Sequence, residues 1–179
     1  GGLANLKAFK RLHDSGAMKL RVYVFAPIAN WKEAAEFVKE NGRGDATLRW
    51  GAVKGYVDGS LGSRTAWRYD KYIDADTQGL TMQPPEQLAA WARSADAAGL
   101  HVTIHAIGER ANDFVLEAFA DTGGKKLHGK RFRVEHAQHL TPEAIAKFGE
   151  GDITASMQPY HAADDGRWAA KRIGPDAIR

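Results

Sequence analysis

The stretch "GLHVTIHAIGER" (residues 99–110) decides the fold. Apolar Val102 and Ile104 alternate with His101, Thr103 and His105, which is the period of two of a strand. Gly99 stops a helical pattern just before it, and Glu109 starts another just after. A strand held between two helices belongs to an α/β protein, yet a core strand has no need of a polar face carrying two histidines. His101 and His105 lie four residues apart, about 13 Å at normal strand rise, so one metal ion cannot bind both. His105, at the carboxyl end of the strand, is the candidate ligand, and His101 reads as structural.

The same alternation extends in both directions. Residues 3–14 look helical, "KLRVYVFAP" (19–27) is a strand, and "NWKEAAEFVKENG" (30–42) is a helix with Asn30 as N-cap and Gly42 as stop. A strand lies within "RWGAVKGYVDG" (49–59), followed by about 25 residues rich in Gly, Asp, Arg and aromatics. "PPEQLAAWARSADAAG" (84–99) is a helix with Leu88, Trp91, Ala92 and Ala95 on one stripe. After the opening strand come a helix at 109–120, a strand at "RFRVEHA" (131–137), a helix opened by Thr141 and Pro142, and a strand at "DITASMQ" (152–158). Five strands separated by helices predict parallel pairing with helical crossovers. This pattern fits a doubly wound sheet and a barrel equally.

Composition narrows the chemistry. The 179 residues are 44% apolar and 26% charged, as in an ordinary globular domain, and the chain reads as a single domain, 1–179. There is no cysteine, so disulfides, thiolate nucleophiles and sulfur-ligated zinc are excluded, and any metal is held by nitrogen and oxygen. No apolar run is long enough for a membrane span, so no membrane is expected, and the stretch at residues 1–16 does not read as a signal peptide. The compartment stays open, with a soluble cytoplasmic setting favoured. The net charge is +3, and the one basic run, "GGKKLHGKRFR" (123–133), reads as a solvated connection rather than a nucleic-acid surface. "GSLGS" (59–63) lacks the framework of a dinucleotide or P-loop site.

In parallel α/β folds, reactive groups gather at the carboxyl ends of strands. Lys54, Tyr56 and Asp58 share one face of the second strand, against Val53 and Val57. The fourth strand puts Phe132, Val134 and His136 on one side and Arg133 and Glu135 on the other, where they are expected to pair beneath the helices. The last strand brings Thr154, Ser156 and Gln158, then Tyr160 and His161. Asp74 and Asp76 read as solvated loop residues, His13 and His128 as surface residues, and His139 as a supporting or capping residue.

"VKGYVDGSLGSRTAW" (53–67), "HAIGERAND" (105–113), "RVEHAQ" (133–138) and "SMQPYHAADD" (156–165), in this order, resemble the successive motifs of the amidohydrolase superfamily, and within it the family 3, YtcJ-like metal-dependent hydrolases. The resemblance implies a (β/α)8 TIM barrel, of which this chain supplies roughly strands three to seven. It implies that Lys54 is the bridging, often carboxylated, ligand and a catalytic residue. His105 and His136 become the ligands from barrel strands five and six. The implied cofactor is one or two divalent ions, zinc above all, whose activated hydroxide attacks the substrate. The implied substrate is a small molecule with a C–N bond in an amide, cyclic amide or formamide-like group. Asp58, Arg64, Gln158, His161 and Asp164 would shape its pocket, with residues 59–83 as a long loop or lid.

The sequence departs from the family pattern in having no HxH pair and no aspartate of an eighth strand. A full barrel needs about 250 residues. The expectation is therefore an internal piece of a longer enzyme, inactive alone, with open barrel edges that favour a homo-oligomer. The competing expectation is a catalytically inactive binding or regulatory protein on the same scaffold.

Overall fold

The computed structural model describes residues 2–123 and 129–178. Residues 124–128 of the basic run, His128 among them, lie outside the described residues.

Five parallel strands form one sheet in the order β1-β2-β3-β4-β5. They are β1 (Val22–Pro27), β2 (Leu48–Tyr56), β3 (His101–Ala106), β4 (Arg133–His136) and β5 (Thr154–Ser156). Helix α1 (Gly2–Asp14) precedes the sheet, and α2 (Trp31–Asn41), α3 (Pro85–Ala97), α4 (Glu109–Gly123) and α5 (Pro142–Glu150) connect successive strands. Two short helices, α6 (Pro159–Asp165) and α7 (Ala170–Ile173), follow. A doubly wound sheet reverses its strand order at a switch point, and this sheet never reverses. The order is that of an arc of a (β/α)8 barrel.

The two faces of the sheet differ as the alternation predicts. Val53, Val57, Val102, Ile104, Phe132 and Val134 pack against Leu88, Ala92 and Ala95 of α3 and Val115 and Phe119 of α4. Phe119 stacks on Phe132 with ring centroids 4.5 Å apart, which joins α4 to the sheet. Trp91 packs at the border of this core, as its place on the α3 stripe predicts. Thr141 caps α5 by accepting the Ala144 N–H at 3.0 Å. Asn30 occupies the N-cap position of α2 without a side-chain cap bond, because a 3-10 turn at Ile28–Asn30 leads directly into the helix.

Arg133 and Glu135 are not beneath the helices. They lie on the opposite, concave face, where the Arg133 guanidinium sits 5.8 Å from the Phe25 ring and donates to Ser156 Oγ at 2.7 Å. Arg133 also pairs with Glu135 along its own strand.

Between β2 and α3 the chain runs through turns without helix or strand, and it is tied down throughout. Leu61, Ala66 and Tyr72 form a second apolar cluster with Ile107, Ala169 and Ile173. Asp74 is exposed, as expected of a loop residue, but it is ion-paired. Arg64 donates to both its oxygens at 2.9 and 2.8 Å, and Arg172 of α7 adds a further ion pair. The hydrogen bond from Arg64 leads in holding the Asp74 carboxyl down to about 2. Asp76 is exposed and pairs with Lys71. Gly108 makes this packing close, since a Cβ there would lie 2.1 Å from the Trp67 carbonyl oxygen.

Candidate metal centre

His105 ends the polar face of β3 and is 8% exposed. Its Nε2 lies 2.8 Å from the Gly59 carbonyl oxygen, which can only accept, so Nε2 carries the proton and Nδ1 keeps its lone pair. Burial pushes the His105 pKa down to about 4, which leaves the ring neutral at physiological pH. A neutral imidazole with one nitrogen anchored and the other free is the state in which histidine binds a metal.

His136 reaches the same place by a backbone irregularity. In register, Ala106 pairs with His136 and His105 with Glu135, so strict alternation would turn His136 toward the helices. His136 has φ 75° and the next residue, Ala137, has φ 46°. Two successive non-glycine residues in the left-handed region cost on the order of 1–3 kcal/mol each, a strain that folds retain mainly at functional sites. The result is a contact between the His105 and His136 rings, with centroids 4.6 Å apart. His136 Nδ1 donates to Gln158 Oε1 at 2.7 Å, an orientation consistent with the Gln158 amide nitrogen donating to Ser156 O at 3.4 Å. Nε2 of His136 therefore keeps its lone pair.

A third ring continues the row. His161 on α6 stacks parallel to His136 at 5.8 Å and donates from Nδ1 to Gln138 Oε1 at 3.2 Å. Gln138 in turn donates to Asp165 at 2.6 Å. His136, Gln138, His139, His161, Asp165 and Glu109 line a cleft of about 800 Å³.

Lys54 is half-buried on the concave face, paired in register with Thr103, one pleat below His105. Its ammonium lies 5.2 Å from the Tyr56 ring centroid, and the Tyr56 ring is 5.4 Å from that of His105. Burial lowers the Lys54 pKa, against a smaller opposing pull from Glu135. Among the described residues, no three His, Asp or Glu side chains stand together in a metal-holding group.

The other expected pocket residues are distributed differently. Asp58 is 1% exposed, and its carboxylate accepts from the backbone N–H groups of Trp67 at 2.8 Å, Ile107 at 3.0 Å and Gly108 at 2.9 Å. It staples the segment after β2 to the turn after β3, and burial pushes its pKa up to about 6. Arg64 is committed to Asp74. Asp165 lines the cleft where Asp164 was expected, because one residue along a helix turns the side chain about 100°. His101 sits at the far end of β3, with Nδ1 bound to the Tyr23 hydroxyl at 2.8 Å, as its structural reading requires. His139 is partly buried in the cleft wall.

Sequence reasoning missed Asn112 and the Arg68–Glu109 pair. Asn112 is fully buried and donates to the carbonyls of Gly108 at 2.9 Å and His139 at 3.1 Å, which ties together the turns after β3 and β4. Arg68, 2% exposed, pairs with Glu109 at 2.8 Å across 41 residues of sequence. Only the polar cluster in "GERAND" hinted at either.

The sequence model of the amidohydrolase family matches residues 1–179. The chain belongs to this family. Among curated relatives, it is 40% identical over 170 residues to Protein LONG AFTER FAR-RED 3 of Arabidopsis thaliana, covering 91% of this chain and 28% of that protein. It is 35% identical over 133 residues to the putative amidohydrolase YtcJ of Bacillus subtilis, covering 74% of this chain and 25% of that protein. A crystal structure of an uncharacterized metal-dependent hydrolase from Pyrococcus furiosus superposes with a TM-score of 0.82 at 29% identity, over 96% of this chain and 35% of that one. A second such hydrolase, from Pyrococcus horikoshii, gives 0.80 at 29% identity, over 96% and 34%. The chain thus spans about a quarter of the length of these two curated relatives. No helix among the described residues is long and apolar enough to cross a membrane.

Proposed function

We propose that this chain carries part of the active site of a metal-dependent amidohydrolase that cleaves a C–N bond in a small amide, cyclic amide or formamide-like substrate. The observation that carries the reading is the His105–His136 contact, in which each ring has one nitrogen hydrogen-bonded to an oxygen acceptor and the other free. These residues fit a divalent metal as two of its ligands, Nδ1 of His105 and Nε2 of His136. The nitrogen and oxygen donor set, in a chain without cysteine, is compatible with zinc. Lys54 would be the bridging ligand if its neutral amine, which half-burial favours, took up CO2 as a carbamate with release of one proton. The remaining ligands are proposed to come from residues beyond this chain.

When bound, the cation supplies Lewis acidity toward a carbonyl oxygen and acidifies water. The chain's own residues hold the geometry. Gly59 and Gln158 fix the two ring orientations, and Asp58 fixes Gly59 by binding the backbone on both sides of the mouth. His161, oriented through Gln138 by Asp165, offers Nε2 to the cleft as an acceptor for a substrate or water proton.

Titration with Co2+, followed by its visible absorption, tests the reading. The longer protein that includes this chain is expected to bind cobalt with the spectrum of nitrogen ligation, and its His105→Ala and His136→Ala variants to lose it. Equal spectra in all three would refute the site, and a scaffold that binds no metal in the longer protein would be a non-catalytic one.

A further inference from the structure

The opposite end of the sheet carries a charge pattern that the proposed hydrolysis does not use. A cation stands near the start of strand after strand: Arg21 just before β1, Arg49 at the second position of β2 and Arg131 two residues before β4. Arg43 joins them from the connection between α2 and β2. With Tyr23 and His101 these arginines line one recess of about 600 Å³, and no Asp or Glu lines it.

The recess is built rather than incidental. Arg43 donates to the Gly51 carbonyl at 3.2 Å and also to the Gly99 carbonyl. Gly51 has φ 100°, and a Cβ there would lie 2.5 Å from Arg43 Nη1, so only glycine leaves the guanidinium its seat. Arg49 is steadied by the Asp45 carbonyl at 3.2 Å. Among the described residues, none of these four arginines has a carboxylate partner. The ion-paired arginines are Arg64, Arg68, Arg133 and Arg172.

Three of these arginines act on the same two side chains of the recess. After burial, Arg43, Arg131 and Arg49 lower the His101 pKa, and together with Arg133 they oppose the burial that raises the Tyr23 phenol. Like charges gathered in one recess repel, and no acidic side chain among the described residues lines it. Guanidinium forks match phosphate oxygens, and a recess of about 600 Å³ has ample room for an anion of this class. A nucleic-acid strand would instead need an extended cationic groove with aromatic stacking platforms.

We propose that this recess, at the amino ends of the strands, binds a multiply charged oxyanion of the phosphate class, held by Arg43, Arg49 and Arg131 with Arg21. It is a second site, separated from His105 and His136 by the length of the strands.

The test is calorimetric titration of the chain with pyrophosphate at low ionic strength, alongside imidazole NMR of His101. One saturable equivalent is expected, with the His101 signals shifting in step. Arg49→Ala and Arg131→Ala each change an exposed side chain, and each is expected to weaken binding about tenfold, the double variant about a hundredfold. Arg93→Ala, an exposed arginine on α3, is expected to bind like wild type. No saturable binding at millimolar pyrophosphate overturns the proposal, and so does an equal loss in Arg93→Ala. Tighter binding of a single-stranded oligonucleotide at several equivalents would replace it with an extended nucleic-acid surface.

Discussion

The two ends of the sheet treat polar groups in opposite ways. At the carboxyl ends, Asp58, His105 and Asn112 are buried, and each is bound to a particular backbone group of a neighbouring turn. At the amino ends, Arg21, Arg49 and Arg131 are exposed and have no acidic partner among the described residues. The carboxyl end is therefore part of what holds the fold, so its side chains cannot move without loosening the turns around them. At the amino end the exposed guanidiniums of Arg21, Arg49 and Arg131 have no such buried backbone partners among the described residues, which leaves their charges available to a ligand.

Substitution should separate the two ends sharply. Asp58→Ala leaves three backbone N–H groups buried without an acceptor and is expected to cost about 4 kcal/mol, read as a lower urea midpoint. An unchanged midpoint would mean that the staple contributes little.

Acid should weaken the carboxyl end next. His105 titrates near 4 when folded and near 6.5 when unfolded, so the unfolded chain binds its proton first. Its stabilising contribution is full above pH 6.5 and is lost as pH falls toward 4. Between pH 7 and 5 the loss is about 2 kcal/mol. Asp58 acts with the opposite sign, because its folded pKa near 6 lies above the usual carboxylate value of 3.8, and it offsets about 1 kcal/mol over the same interval. His136 and His139, also lowered by burial, add to the loss. Urea unfolding at pH 7 and pH 5 should therefore show a net decrease, and His105→Gln should turn it into a smaller decrease or a gain.

At the amino end, Gly51→Ala combines a left-handed backbone with displacement of the Arg43 guanidinium and is expected to cost about 1–2 kcal/mol. Arg49→Ala should change stability by less than about 0.5 kcal/mol while weakening anion binding. A large stability loss in Arg49→Ala would erase the contrast between the ends.

All five strands and the helices from α1 to α5 were legible because alternation, Pro starts and Gly stops are local signals. His105 and its separation from His101 were legible for the same reason, since strand rise fixes the distance. The facing of His136 was not, because it depends on two left-handed residues that no side-chain pattern announces. Nor was the role of Asp58, whose partners at Ile107 and Gly108 lie 49 and 50 residues away. Arg133 and Glu135 were assigned to the wrong side because alternation within a strand says which residues share a face, not which face meets the helices. Strand order, which separates an arc of a barrel from a doubly wound sheet, is a tertiary fact.

The clamp on Asp74 carries a consequence for how the protein is made. Arg172 follows Asp74 by 98 residues, so at ordinary translation rates the nascent loop waits about 5 to 20 seconds for its second arginine. Through that interval Leu61 and Tyr72 also lack Ala169 and Ile173, their apolar neighbours from the last part of the chain. The wall of the mouth thus sets late, after the strands that it borders have left the ribosome.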